Sequence, residues 1–372
     1  MDATRAPVLA FKPGLTAADA RAVAQAVGSG WAGGGVYVRL FERRLAAAVG
    51  VPHALGVSSG TAALHLALRV LDVEGGEVIT TPLTSPATSH AILYNRARPV
   101  FGEVEDGTGN LDARRAAELV TSRTRAIVAV HFNGQPCDMD ALRRLAREKG
   151  LALVEDAGGA LPVGGLYRGK PLGSLGDLAC FSFSRKNFTT LDGGAVVHRA
   201  GRFAARLRRL RNLGQDEGPA AGERAREISE LGFPYRMNDL TAAVGLSQFD
   251  RWDASAARLA GLERLYRAAV AGLSGLEPPV ERDGARRALS CFPVRVRGRG
   301  RKNALRAFLA ARGVRTDDWL RPNHLFPLYE SRGLRLPIAE RLASELLYLP
   351  FYPGLTGAEA GRVVEALSAF RS

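Results

Sequence analysis

Three short stretches hold the residue types best suited to chemistry. In "FSFSRKNFTTLDGG" (181–194) an apolar run ends in Lys186, hydroxyl residues follow, and two glycines close the segment. The chain has 51 basic residues, yet the only lysines are Lys12, Lys149, Lys170, Lys186 and Lys302. A lysine at the end of a buried strand has its ammonium destabilised by desolvation, which frees an amine able to form a Schiff base. The plain alternative is a lysine on a surface loop. In "LALVEDAGGA" (151–160) a buried run delivers Glu155 and Asp156, and small residues after them leave room for a ring. One of these carboxylates could hold a cationic group such as a protonated pyridine nitrogen, or both are solvated strand-end acids. In "GVSSGTAALHLAL" (56–68) Ser58, Ser59, Gly60 and Thr61 open a helix, where unpaired amides and the helix dipole favour an anion. An ordinary N-cap is the alternative there.

Elements of alternating type must position these residues. "TAADARAVAQAV" reads as a helix capped by Thr16 with Asp19 in its first turn, and "TAALHLALRVL" (61–71) is helical. "EVITT" (77–81), "PVFGEVE" (99–105), "AIVAVHF" (126–132) and "LALVEDA" (151–157) read as strands, with the helix "DMDALRRLAREKG" (138–150) between the last two. Such alternation predicts an α/β fold with a mostly parallel sheet between helices, whose ligands collect at the carboxyl ends of the strands. One long helix is expected from about Asn238 to Ala271, then strand "CFPVRVRG", helix "NALRAFLAARG" and a last helix after the capping box Thr356 to Glu359. This gives a large domain with an N-terminal arm, residues 1–250, and a smaller C-terminal α+β domain, 251–372.

With 372 residues and 46% hydrophobic content the chain is long enough for such a core. No apolar run is long enough for a signal peptide or a membrane span. Three scattered cysteines, Cys137, Cys180 and Cys291, make neither a disulfide framework nor a metal site. The expectation is a cytoplasmic protein with no metal and no membrane partner. The formal charge of +14 is mostly arginine dispersed along helices. The densest basic run, "VRVRGRGRK" (294–302), lacks interleaved aromatics and reads as a strand entering a turn, so nucleic acid is not an expected partner.

An anion cradle, a strand-end carboxylate and a strand-end lysine are together what a pyridoxal phosphate (PLP) site requires: one group each for the phosphate, the ring nitrogen and the aldehyde. Their order, with "SGWAGGGVYVRLFERRLAAAVGVPHALGVSSGTAALHLAL", "EVITTPLTSPATSHAILYNRARPVFGEVEDGTGNLD", "TRAIVAVHFNGQPCDMDAL", "YRMNDLTAAVGLSQFDRWD" and "LPFYPGLT", resembles the DegT/StrS nucleotide-sugar aminotransferases nearly end to end. The resemblance implies a fold type I PLP-dependent transferase. By position it implies that Lys186 forms the internal aldimine and Asp156 pairs with the pyridine nitrogen. It implies that the backbone at Gly60, Thr61 and Ala62 binds the cofactor phosphate with help from Ser182. The segment "GFPYRMNDL" would cross from a neighbouring subunit, making Arg236 a cross-subunit phosphate contact and the working unit a homodimer with shared active sites. His324 in "RPNHLFPLY" falls in a substrate-side segment, with a surface loop histidine as the alternative.

Four positions depart from the family pattern. Gly159 stands where relatives have glutamine or histidine near the ring hydroxyl, and Ser85 where an aromatic residue stacks on the ring. The spacing from Ser182 to Lys186 is one residue short, so Ser184 could replace Ser182, and Pro234 replaces an asparagine and offers no amide donor. A dehydratase branch has histidine at the lysine position, so Lys186 favours amino transfer. The implied reaction is a ping-pong transfer from glutamate or glutamine to a nucleotide-linked keto sugar. A cyclitol or aminobenzoate precursor as acceptor, or a catalytically idle sensor, are the rival readings.

Overall fold

The computed structural model describes residues 6–31, 33–160, 164–184, 187–215, 227–318, 320–329 and 331–370. In chain order the strands are β1 (His53–Val57), β2 (Glu77–Thr80), β3 (Arg98–Phe101), β4 (Thr124–Val130), β5 (Ala152–Asp156), β6 (Leu166–Tyr167), β7 (Lys170–Pro171), β8 (Leu178–Ser182), β9 (Gly194–His198), β10 (Leu276–Glu277), β11 (Ala285–Arg286), β12 (Phe292–Val296) and β13 (Leu346–Leu349). Seven of them form one sheet in the order β1-β9-β8-β5-β4-β2-β3. Within it β2, β3, β4, β5 and β8 pair in parallel, and β9 runs antiparallel to both β8 and β1. A parallel sheet needs cover on both faces, which explains its continuous apolar strands such as β4. One face packs on Phe41, Leu45, Leu142 and Phe181, the other on Leu64, Leu68, Ile92 and Leu207. The expected mostly parallel α/β architecture is the one observed.

Beyond it, β10, β12 and β13 form a three-stranded antiparallel sheet over a third core containing Tyr266, Phe292, Leu305 and Val363. Val8 belongs to this same core: it is fully buried and bridges Val314, its amide donating to the Gly313 carbonyl at 2.8 Å. A further sheet, β11-β6-β7, ties residues 285–286 back to the large unit.

The expected helix from Asn238 to Ala271 is two helices. Asp239–Asp250, capped by the Asn238 side chain, ends at Arg251 (φ −109°, ψ 11°), and Trp252–Ala271 starts afresh. No glycine or proline marks the break. It follows charge and packing instead: Asp250 sits unfavourably at a helix C-terminus while Asp253 suits a new N-terminus, and the Arg251 guanidinium turns aside to grip the Asp19 carboxylate at 2.5 Å. Both expected capping boxes, Thr16 with Asp19 and Thr356 with Glu359, are formed. The strand expected over 99–105 stops at Phe101, because Gly102 packs directly on Leu111 and leaves no room for a side chain. Among the described residues no helix is long and apolar enough to cross a membrane, and no group of metal-ligating side chains gathers.

Candidate active site

Asp156 is the last residue of β5, at the carboxyl end of the parallel strands. Its Oδ2 accepts a hydrogen bond of 2.7 Å from the Thr88 hydroxyl, and its Oδ1 accepts from the Gly158 amide at 3.1 Å. Thr88 lies one turn into the helix Pro86–Tyr94, which Ser85 opens by accepting from the Ala87 amide at 3.3 Å, with proline at its first position. The Thr88 hydroxyl is itself 2.7 Å from that of Thr84, and both threonines are buried. Among the described residues no cation pairs with Asp156. The carboxylate is therefore held by neutral donors and keeps acceptor capacity for a further N–H.

Glu155 points the other way and is fully buried. It accepts from His131 Nε2 at 2.9 Å and from the amides of Gly173, Leu175 and Gly176 at 2.9, 2.7 and 2.6 Å. Burial pushes its carboxyl up, but the His131 bond and the amides outweigh it, and the group lies below the usual carboxylate range. The Cys137 amide donates to His131 Nδ1 at 3.2 Å, so the proton sits on Nε2 and the ring is neutral. Of the two acids that the sequence offers, Glu155 is thus committed to the scaffold and Asp156 faces the open strand ends.

The anion cradle sits beside it. Ser59 caps the helix Gly60–Val70, its hydroxyl accepting from the Ala62 amide at 3.1 Å. Ala62 is therefore satisfied within the chain, and the amides of Gly60 and Thr61 are the ones left for an anion. A Cβ at Gly60 would come within 2.6 Å of the Ser182 Cβ, and one at Gly194 within 2.4 Å of the Ser59 carbonyl oxygen. These close approaches bring Ser182, at the end of β8, against Gly60 at the helix start. A Cβ at Gly158 would lie 3.1 Å from Asp156 Oδ1 and 3.6 Å from the Ser182 Cβ, which joins the carboxylate to the cradle.

Lys186 lies outside the described residues. The residues flanking it are fixed: the Phe183 amide donates to the Gly193 carbonyl at 2.9 Å, and Asn187 Nδ2 donates to the carbonyls of Leu289 and Ser290 at 3.0 and 3.2 Å. Asn187 Oδ1 is buried without a hydrogen-bond partner among the described residues. Gly159 faces the Ser290 hydroxyl, 3.3 Å from where a Cβ would stand. Arg236 is exposed and hydrogen-bonds Asn212; its backbone bridges Val57 of the same chain, and the Tyr235 carbonyl accepts from the Ser58 amide at 2.8 Å. The segment thus runs along its own chain's cradle.

His324 is neither an exposed loop histidine nor open to the strand ends. Its side chain is fully buried, with Nε2 3.3 Å from Glu340 Oε1. Its neighbour Asn323 is the residue that reaches the helix carrying Thr88, donating to the Ser89 hydroxyl at 2.9 Å and the Ser85 carbonyl at 3.3 Å. Sequence reading missed Thr88, Thr84, Asn323 and His131; the pattern of "TSPATSHAIL" announces a helix start but not which hydroxyl faces a strand 68 residues further on.

The residues fit PLP on structural grounds: a cradle that a side chain at position 60 would fill, and a carboxylate with no cation beside it among the described residues. The comparisons agree. The profile of the DegT/DnrJ/EryC1/StrS aminotransferase family matches residues 13–368. GDP-perosamine synthase from Caulobacter vibrioides is 38% identical over 344 residues, covering 90% of each chain. Among solved structures, the aminotransferase TlmJ from Streptoalloteichus hindustanus superposes with a TM-score of 0.91 at 32% identity over 98% of both chains. The PLP form of a sugar aminotransferase, Spr1654 from Streptococcus pneumoniae, does so at 0.90 and 26% identity, over 97% of this chain and 98% of that one.

Proposed function

Because the chain belongs to the DegT/DnrJ/EryC1/StrS aminotransferase family, and is thus a PLP-dependent aminotransferase acting in sugar metabolism, we propose that it transfers an amino group from glutamate or glutamine to a nucleotide-linked keto sugar. The observation that carries this reading is the meeting of Asp156 with the Gly60–Ser182 cradle at the strand ends. The name of the Caulobacter relative, a GDP-perosamine synthase, supports a nucleotide-bound acceptor, and the charge of +14 suits its phosphates.

Bound PLP supplies an electron sink that lets an amino group leave one carbon and be delivered to another. The chain's own residues do the rest. The amides of Gly60 and Thr61 and the hydroxyl of Ser182 hold the phosphate at the helix N-terminus. Asp156, fixed by Thr88 and Gly158, accepts the ring N–H and keeps the nitrogen protonated. Lys186 Nζ takes the proton that leaves the donor's α-carbon and returns it. A guanidinium could not serve there, since it does not give up its proton.

The working unit is a homodimer in this reading. A single copy leaves Ile228 and Leu231 65% and 76% exposed, an apolar surface that a second copy would cover, with the exposed Arg236 of the same segment as the candidate contact across that interface. None of the three cysteines forms a disulfide, which suits the reducing cytoplasm of this reading.

The test is the visible spectrum of the purified protein with PLP, before and after glutamate or glutamine, beside Lys186→Ala. A lysine-dependent band that bleaches with the donor is expected. A band that never responds to any amino donor would favour an idle sensor, and no lysine-dependent band would overturn the reading. Keto sugars with and without the nucleotide then separate the acceptor classes from cyclitols.

A further inference from the structure

Asp156 carries the ring nitrogen in the function proposed above, and the following rests on that reading. A single-bonded strand-end carboxylate would rotate freely and share its charge with water. This one does neither, because both oxygens have donors from opposite sides: Gly158 N–H to Oδ1 and Thr88 O–H to Oδ2. The Thr88 hydroxyl has one proton. Spending it on Asp156 leaves its lone pairs to accept, and the Thr84 hydroxyl, 2.7 Å away, is placed to donate to them. The two threonines therefore form a directed chain, Thr84 to Thr88 to Asp156, in which each bond polarises the next.

We propose that Thr88 is a positioning residue for the amino-transfer reaction, aiming the Asp156 carboxylate at the ring nitrogen, with Thr84 fixing the direction of the Thr88 proton. A hydrogen bond donated to a carboxylate favours its charged form. Loss of the Thr88 donor would therefore weaken the pairing of the carboxylate with the ring nitrogen. Among the described residues, the other titratable groups packed around it are few. Glu155 lies on the opposite face of β5, His131 follows β4 and is neutral, and Cys180 pairs with Asp156 across β8. Burial, with Asp156 and Glu155 adding to it, pushes the Cys180 thiol up, so it too stays uncharged. No other described group near Asp156 supplies a proton that could stand in for the Thr88 hydroxyl.

The experiment compares Thr88→Val, Thr88→Ser, Thr84→Val and Asp156→Asn with the unaltered chain. PLP affinity is measured by fluorescence titration of the cofactor-free protein, and the pH midpoint of the bound cofactor's absorption band is followed alongside. Thr88→Val preserves shape and removes the donor. The expected result is about tenfold weaker PLP binding, the size of a hydrogen bond to a charged group, with a displaced band midpoint and an unchanged melting temperature. Thr88→Ser restores both quantities, and Thr84→Val gives a smaller change of the same sign. Should Asp156→Asn weaken binding while Thr88→Val leaves affinity and midpoint alone, the role of Thr88 is refuted and Asp156 keeps its own. Should Asp156→Asn itself have no effect, the assignment of Asp156 fails first. A melting temperature that falls with Thr88→Val while the midpoint stays put means Thr88 is structural only, which also refutes the proposal.

Discussion

Acids are handled in opposite ways at the strand ends and at the junction with the C-terminal unit. At the junction, Glu263 meets the fully buried Arg287 at 2.7 Å and Arg267 at 2.8 Å, while Arg295 clasps Asp106 and Glu345 at 2.7 and 2.6 Å. Among the described residues, Glu155 and Asp156 at the strand ends meet amides, an imidazole and a hydroxyl. Arginine pairing closes a site, because each charge finds its counter-charge within the chain. Neutral donors hold a carboxylate in place and leave its charge for a ligand. Among the described residues, that contrast in partners is what distinguishes the chemical region from the structural one.

The largest effect should come from breaking the junction. Glu263→Ala leaves Arg287 buried without its partner and should cost about 3–5 kcal/mol in urea unfolding, while PLP affinity of the folded fraction is unchanged. If stability moved by less than 1 kcal/mol, the junction would not be the structural half of the contrast. Asp156→Asn should do the reverse: turnover falls by roughly 100-fold, about 2.7 kcal/mol of barrier, with the unfolding midpoint nearly constant. A large loss of stability instead would make Asp156 another structural acid.

Acid should separate the regions next. His65, on the buried side of the cradle helix and 3.1 Å from the Tyr235 hydroxyl, is held down to about 4 by burial and by Arg69, from an ordinary 6.5. It is neutral when folded, and the unfolded chain protonates first, so its contribution is complete above pH 6.5 and drains away as pH falls toward 4. Asp106 is held down to about 2 from 3.8 by its Arg295 hydrogen bond, against burial, with Arg341 adding to it, so its share is lost only below about pH 3.8. Hydrogen exchange between pH 6.5 and 4 should therefore show loosening on the cradle side before the junction. Simultaneous loosening would remove the distinction.

The smallest effect concerns fit alone. Gly60→Ala places a methyl 2.6 Å from the Ser182 Cβ and should weaken PLP by about tenfold through overpacking of about 1–2 kcal/mol, measured by the same titration. Unchanged affinity would mean that the cradle is looser than its geometry.

Much of this contrast was legible in the sequence. Strand period and helix-start chemistry are local, so the carboxyl end of β5 and the Ser59–Gly60 cradle follow from short stretches. The choice between Glu155 and Asp156 did not, because it depends on which side of β5 meets the amides of 173–176. Thr88 was hidden for the same reason: helical pattern gives a face, not a partner. The helix break at Arg251 escaped because it arises from a tertiary ion pair with Asp19 rather than from a breaker residue. The burial of His324 is not legible locally, since a histidine among prolines reads as loop while Glu340, its hydrogen-bond partner, lies 16 residues on.

The bridge between Val8 and Val314 has a consequence for how the protein is made. The two residues are about 300 positions apart, and at ribosomal speeds of 5–20 residues per second the first waits roughly 15 to 60 s for the second. During that interval an apolar segment destined for the interior stays uncovered, and this core must recapture a piece of chain synthesised about 300 residues earlier. Chaperone demand during translation should therefore track the segment around Val8.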